Sequence, residues 1–107
     1  MAYGSNSTAQ ILAFKTVNSQ LDQQTTEYRI TATQIINTMI DAQYEITNPS
    51  DKIHTACNLL TAAMLRTKSG EASEDSYWKQ ALFIIEKLRG DNQEDGRWGN
   101  VLRVARF

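Results

Sequence analysis

The chain has 107 residues, of which 41% are hydrophobic and 21% charged, and its formal net charge is −1. This length is typical of one domain that buries about two thirds of its unfolded surface. The near-neutral charge argues against a general nucleic-acid-binding protein, for which a basic balance is expected. The lone Cys57 excludes an intramolecular disulfide and is typical of a reducing compartment. No apolar run approaches the ~20 residues of a membrane span, and the start, MAYGSNST, lacks the features of a signal peptide, so we expect a cytoplasmic origin.

Residues 8–21, TAQILAFKTVNSQL, are a possible short first helix. Their apolar residues recur at approximately helical steps: Ile11, Leu12, Phe14, Val17 and Leu21. Lys15 is an alternative to Phe14, and Asn18 is an alternative to Val17. The surrounding Ser, Thr, Asn and Gln side chains compete for helical backbone hydrogen bonds. Residues 1–24 are therefore predicted to be partly irregular.

The first clear helix is predicted over residues 26–44, capped by Thr25 or Thr26. Apolar residues recur at three- and four-residue steps and form one stripe: Tyr28, Ala32, Ile35, Ile36, Met39 and Ile40. Gln43 or Tyr44 is the last member of this stripe. The turn before Pro49 ends this helix, because a residue preceding proline is disfavoured in helical conformation.

The next helix is predicted to begin at NPSDK, with Asn48 as N-cap, Pro49 in the first helical position and Asp51 near the positive helix start. Lys68 and Gly70 are predicted to close it. Its buried face is expected to consist of seven residues: Ile53, Ala56, Cys57, Leu59, Leu60, Ala63 and Met64.

The last helix is predicted from Ser73, the expected N-cap, to Gly90. Its core stripe contains Tyr77 or Trp78, then Ala81, Leu82, Ile85 and Leu88, and the neighbouring Phe83 and Ile84 indicate cover on two sides. The sequence therefore predicts an all-α fold. Residues 1–90 form a small antiparallel bundle of three to four helices, and residues 91–107 form an extended tail.

No catalytic, cofactor-binding or metal site is predicted. His54 and Cys57 are three residues apart and share a helical face, which permits a nucleophile–base pair. A lone cysteine on an apolar stripe is more often a small buried hydrophobe, however, and a zinc site needs about four ligands. Glycine-rich phosphate loops and a calcium loop are also missing from the sequence. We therefore expect a protein that is not an enzyme.

The terminal stretch GRWGNVLRVARF, residues 96–107, is the most informative part of the chain. Residues 1–96 carry eight bases and twelve acids, whereas residues 97–107 carry three arginines and no acid. A disordered tail usually lacks such apolar residues, and tryptophan and arginine are enriched at binding hot spots. The segment either packs on its own bundle or docks on a partner, and we predict docking through eight residues: Arg97, Trp98, Val101, Leu102, Arg103, Val104, Arg106 and Phe107.

The stretch ITATQIINTMIDAQYEITNPSDKIHTACNLLTAAMLRTKSGEASEDSYWKQALFIIEKLRGD, residues 30–91, resembles the head-to-tail adaptor proteins of tailed phages, also called connector or head-completion proteins. The resemblance lies in three parts of the sequence. Residues 36–42 match a helix with IxxA-type repeats, residues 56–65 match an alanine- and leucine-rich helix, and residues 77–90 match a helix that begins with an aromatic residue. A polar loop precedes the last of these.

The resemblance implies a structural virion protein that forms a ring, commonly dodecameric, beneath the portal. The C-terminal tail would dock on the portal protein, and a tail-completion or stopper protein would bind below. DNA would pass through the channel without specific binding. The expected location is the virion neck, and the host cytoplasm during assembly. The long polar start, residues 1–27, departs from the family pattern. The alternative from the residues alone is a small cytosolic helical protein–protein interaction module that is dimeric.

Overall fold

A computed structural model describes residues 2–41, 50–67 and 71–95, and this part of the chain is all-α, as predicted. Two short 3-10 turns, Ser19–Leu21 and Ala72–Glu74, accompany four helices: α1 Asn6–Phe14, α2 Asp22–Met39, α3 Asp51–Thr67 and α4 Ser76–Asp95. The predictions that concern Gln43, Tyr44, the Asn48–Pro49 start, the Lys68–Gly70 end and the tail beyond Asp95 lie outside the described residues. Residues 91–95, which were predicted to begin the extended tail, belong to α4 instead.

Helix α3 forms the centre of the bundle because it packs against α1, α2 and α4. All seven residues of its predicted inner face are buried, which confirms that prediction. Four further residues are also buried because helices cover α3 on several sides: Asn58, Thr61, Ala62 and Leu65. The Thr61 hydroxyl donates to the Cys57 carbonyl at 2.8 Å, so this buried polar group is satisfied within the helix.

The predicted apolar stripes of α2 and α4 face this centre. Ala32 and Ile36 of α2 and Ala81 and Ile85 of α4 are buried. The rest of both stripes is partly buried against them: Tyr28, Ile35, Met39, Ile40, Tyr77, Trp78, Leu82, Ile84 and Leu88. The expectation that Phe83 is covered is wrong, since its side chain is 61% exposed and the Lys87 ammonium lies 4.9 Å from its ring centre.

Helix α1 differs from the predicted 8–21 segment in both its bounds and its inner face. It begins at Asn6, where the Ser5 hydroxyl accepts from the Thr8 N–H at 3.2 Å, and Lys15 ends it with a left-handed φ of 62°. Ala9 and Gln10 are buried, whereas Ile11, Phe14 and Val17 are exposed. Residues 2–5 and 15–18 lie outside the helices, so this region combines regular and irregular parts. The apolar periodicity did not identify the inner face of α1.

Gln10 explains this arrangement. Its amide nitrogen donates to Asp22 Oδ1 and to Thr25 Oγ1, both at 3.0 Å, and its oxygen accepts from the Asn18 N–H at 2.8 Å. Because both polar atoms of this buried amide have hydrogen-bond partners, the free-energy cost of removing them from water is largely offset. Hydrogen bonds, and not a continuous apolar stripe, therefore tie α1 to the start of α2.

Four predicted helix ends differ from the structure by two to five residues. Helix α2 ends at Met39 and not at residue 44, and Asp41 follows with a left-handed φ of 60°. Helix α2 begins at Asp22, continuing from the preceding 3-10 turn, and Thr25 lies inside it with its hydroxyl donating to the Leu21 carbonyl at 2.7 Å. Helix α4 begins after Asp75 and not after Ser73, because Asp75 Oδ1 accepts from the Tyr77 N–H at 2.8 Å. It also continues past Gly90 to Asp95, since a glycine within a helix costs only about 1 kcal/mol.

Candidate functional site

The eight residues predicted to bind a partner, from Arg97 to Phe107, all lie outside the described part of the chain. The described surfaces and buried polar groups nevertheless bear on function. Three features stand out: a bound N-terminal segment around His54 and Cys57, an exposed apolar ridge on and after α1, and a shallow groove along α2.

Residues 2–5, the N-terminal strap, are held by hydrogen bonds to α2. Tyr3 is 1% exposed although it lies near the chain start. Its N–H donates to Thr33 Oγ1 at 3.0 Å, and its hydroxyl donates to Asn37 Oδ1 at 2.7 Å. These two bonds hold the buried Tyr3 against α2, so the strap is part of the core.

Helix α3 holds the same strap from its own side. The Gly4 N–H donates to His54 Nδ1 and the Ser5 N–H donates to Asn58 Oδ1, both at 2.9 Å. The Cys57 thiol donates to the Tyr3 carbonyl at 3.2 Å. His54 therefore accepts a backbone hydrogen bond through Nδ1, which requires that this nitrogen carry no proton.

This geometry gives His54 and Cys57 a structural role. Cys57 is completely buried, so its sulfur is inaccessible to a substrate in this conformation. Reactive cysteines lie in partly exposed, electropositive surroundings. The arrangement favours the interpretation of Cys57 as a small buried hydrophobe over a nucleophile, and the absence of enzymatic activity stays a prediction.

Arg29 of α2 binds the strap with its whole guanidinium group. Nε donates to the Tyr3 carbonyl at 2.9 Å, and Nη2 donates to the carbonyls of Ala2 and Gly4 at 3.1 and 3.0 Å. Nη1 donates to Asn6 Oδ1 at 2.8 Å, at the start of α1. A planar fork with five N–H donors is suited to bridging several acceptors, so one side chain joins three consecutive carbonyls to α2.

The sequence interpretation did not identify this strap. A usable signal was the spacing of Arg29 with Ala32 and Ile36, since steps of three and four residues place the arginine beside the inner stripe. A charge in that position needs acceptors. Which acceptors these are depends on the path of the strap, and periodicity carries no information about that path.

The apolar ridge consists of Ile11, Phe14 and Val17, which are 50%, 42% and 52% exposed. Ile11 and Phe14 are three residues apart and lie on the same side of α1, and Val17 follows in the connection to α2. Lys15 is exposed between them and carries the only charge in residues 2–21. The ridge segment therefore carries one lysine, and the next charge along the chain is the exposed Asp22, which accepts from the Gln10 side chain of α1 at 3.0 Å.

The α2 groove is a shallow depression of about 280 Å³ lined by Thr31, Gln34, Ile35, Thr38 and Met39. These positions follow the i, i+3, i+4, i+7, i+8 pattern of one helical face. Ile35 and Met39 are partly buried, and the other three are exposed. Exposed acids precede and follow the groove along α2 at Glu27 and Asp41, whereas the ridge segment carries Lys15.

Near the start of α4, the Arg66 side chain lies between two partners. Its Nε is 3.3 Å from Asp75 Oδ2, and its guanidinium carbon is 4.6 Å from the centre of the Tyr77 ring. Asp75 also caps α4. These contacts join the end of α3 to the start of α4, and we assign them to the fold and not to a binding site.

Within residues 2–41, 50–67 and 71–95, no group of three or more His, Cys, Asp or Glu side chains is arranged to hold a metal ion. None of the helices in the described ranges has the length and apolarity needed to cross a bilayer. Comparisons with protein families, with curated proteins and with solved structures found no match to this chain. The proposed function therefore depends on the chemistry of the chain and on the family resemblance of its sequence.

Proposed function

We propose that the protein is a structural head-to-tail adaptor of a virion neck, which forms a ring beneath the portal and docks on the portal protein through residues 97–107. The observation that carries the proposal is the composition of this segment, which combines a tryptophan, five further apolar residues and three arginines without an acid. The spacing of apolar residues over residues 30–91 resembles that of the phage adaptors, and the all-α fold agrees with that resemblance.

The charge distribution also supports the proposal. Residues 1–96 have a formal charge of −4, from eight bases and twelve acids, whereas residues 97–107 have a charge of +3. An acidic body repels a phosphate backbone, which suits a channel that DNA crosses without being bound. A basic, apolar tail suits a contact with a protein groove, where arginine and tryptophan contribute most of the binding energy.

The direct test measures attachment of the full-length protein to portal-bearing heads or to purified portal rings. Trp98→Ala is expected to weaken attachment at least ~30-fold, the effect of losing a hot spot worth about 2 kcal/mol. Phe83→Ala is the matched control, because Phe83 is an exposed aromatic residue of α4 outside the tail. Equal attachment by both variants would contradict docking through the tail.

A second test removes residues 97–107. The shortened chain is expected to stay helical and soluble and to lose attachment to the portal. If it unfolds, the tail belongs to the core and the docking proposal is wrong. A stable dimer that ignores the portal in both forms would instead support the alternative of a cytosolic interaction module. The genes beside this one offer an independent check, since a portal gene and a capsid gene are expected there.

A further inference from the structure

We propose that the apolar ridge of one copy, Ile11, Phe14 and Val17, seats in the α2 groove of a second copy, and that this contact joins neighbouring subunits. The inference rests on the proposed function, because it identifies the two surfaces through which ring subunits would associate.

The two surfaces are compatible in polarity. Each ridge residue is 42–52% exposed, so the ridge offers apolar side chains to solvent. The groove has an apolar floor of Ile35 and Met39 with a rim of Thr31, Gln34 and Thr38. None of these eight side chains is charged, so their contact would bury no unpaired charge.

The charges closest to the two surfaces along the chain favour this pairing over a pairing of like surfaces. The ridge carries Lys15, whereas the groove is flanked by Glu27 and Asp41. Two ridges face to face would bring two lysines together, and two grooves would bring their acids together, and opposed like charges disfavour association. A ridge in a groove instead places the lysine near carboxylates, which favours encounter in that orientation.

A ridge-to-groove contact uses different surfaces on the two partners, so it is heterologous. Each bound subunit then retains one free ridge or one free groove, and further copies add until the rotation closes a ring or continues as a filament. Three ridge residues are a small part of the ~800 Å² per partner of a standard interface. A single contact is therefore weak, and closure of a ring supplies the additional stability through effective concentration.

The test uses the full-length chain with three matched substitutions: Ile11→Glu in the ridge, Thr38→Glu in the groove, and Phe83→Glu at an exposed site outside both surfaces. Sedimentation and light scattering from about 10 μM to 1 mM span the affinity expected for a weak contact. The wild-type chain and the Phe83 variant are expected to exceed the mass of a dimer as concentration rises. The ridge and groove variants are each expected to weaken association at least ~10-fold.

The decisive experiment mixes the Ile11→Glu and Thr38→Glu variants. The Ile11→Glu chain has an intact groove and the Thr38→Glu chain has an intact ridge, so one wild-type contact forms between them. At the other end two glutamates face each other and block growth. The mixture is therefore expected to stop at a heterodimer, whereas each variant alone stays largely monomeric. Circular dichroism checks that each variant is folded. If Ile11→Glu does not fold, Val17→Glu replaces it in the ridge, and if Thr38→Glu does not fold, Gln34→Glu replaces it in the groove.

Three outcomes would overturn the inference. One is a wild-type chain that stays monomeric at about 1 mM, and another is a mixture that behaves as the sum of its two variants. The third is that the Thr38→Glu chain associates to the same mass as the wild type while its tryptophan emission shifts. That result would mean that the groove binds the chain's own residues 97–107, which contain Trp98. Portal attachment is measured separately. If the protein binds the portal but forms no ridge-to-groove contact, the proposed function stands and only the proposed interface is refuted.

Discussion

The guanidinium of Arg29 holds the backbone of Tyr3, with Nε donating to the Tyr3 carbonyl at 2.9 Å across 26 positions of sequence. The same group bonds the carbonyls on both sides of Tyr3. Hydrogen bonds to a charged donor contribute more than neutral ones. This side chain therefore governs how firmly the N-terminal strap is held on α2.

Replacing Arg29 by alanine is expected to reduce the free energy of unfolding by about 2–4 kcal/mol, because several carbonyls lose a charged donor at once. Arg29→Lys is expected to recover only part of this loss, since an ammonium lacks the planar fork. Urea denaturation followed by circular dichroism measures both. Arg66→Ala is the control, with a loss below about 1 kcal/mol, because Arg66 is half-exposed and solvent screens its ion pair with Asp75. Equal losses at the two arginines would contradict the role given to Arg29.

Gly4→Ala is expected to destabilise the protein by about 1–3 kcal/mol. Gly4 has a φ of +75°, a left-handed conformation that costs other residues about 1–2 kcal/mol. An added Cβ would also collide with the Asn58 side chain, whose Cγ would lie 3.2 Å away. The double variant Gly4→Ala with Asn58→Ala separates the two effects in a mutant cycle. If strain and collision both act, the double variant loses less stability than the sum of the single variants. Strict additivity would exclude the collision.

His54→Phe is expected to lower the free energy of unfolding by about 1–3 kcal/mol, because the Gly4 N–H then lacks its acceptor. Portal attachment of the fraction that stays folded is expected to be unchanged, since we assign His54 to the strap. His54→Asn offers another acceptor and tests whether hydrogen bonding can be restored. Loss of attachment by a folded His54→Phe chain would indicate a functional role that the strap does not explain.

Leu60→Ala is expected to cost about 2–5 kcal/mol, because Leu60 is completely buried on the central helix and its truncation leaves a cavity. Phe83→Ala removes a larger side chain from a site that is 61% exposed, and a loss below about 0.5 kcal/mol is expected there. Thermal unfolding of the two variants under one buffer condition measures the contrast. A comparable loss for Phe83→Ala would mean that Phe83 packs on something in solution.

The helices of the central core were predictable because apolar periodicity reports burial on one face of a helix. Ile36, Leu60 and Ile85 were each assigned to a core stripe, and all three are completely buried. Helix ends were less predictable. Asp75, and not Ser73, caps α4, because either side chain can act as a cap and the following loop path determines which is used. The predicted docking residues 97–107 stay a prediction, outside the described part of the chain.

The sequence by itself determined the all-α fold and the apolar inner face of α3, because the spacing of apolar side chains along a helix is a local property of the sequence. That α3 lies at the centre of the bundle was decided by the tertiary structure. The sequence also determined the charge contrast between residues 1–96 and 97–107, which follows from composition alone. Only the tertiary structure decided that Tyr3 is buried, that Arg29 holds it, and that Ile11 and Phe14 are exposed while Gln10 is buried. Those outcomes depend on hydrogen bonds between groups distant in sequence, and the energy of such a bond exists only once the helices have brought donor and acceptor together.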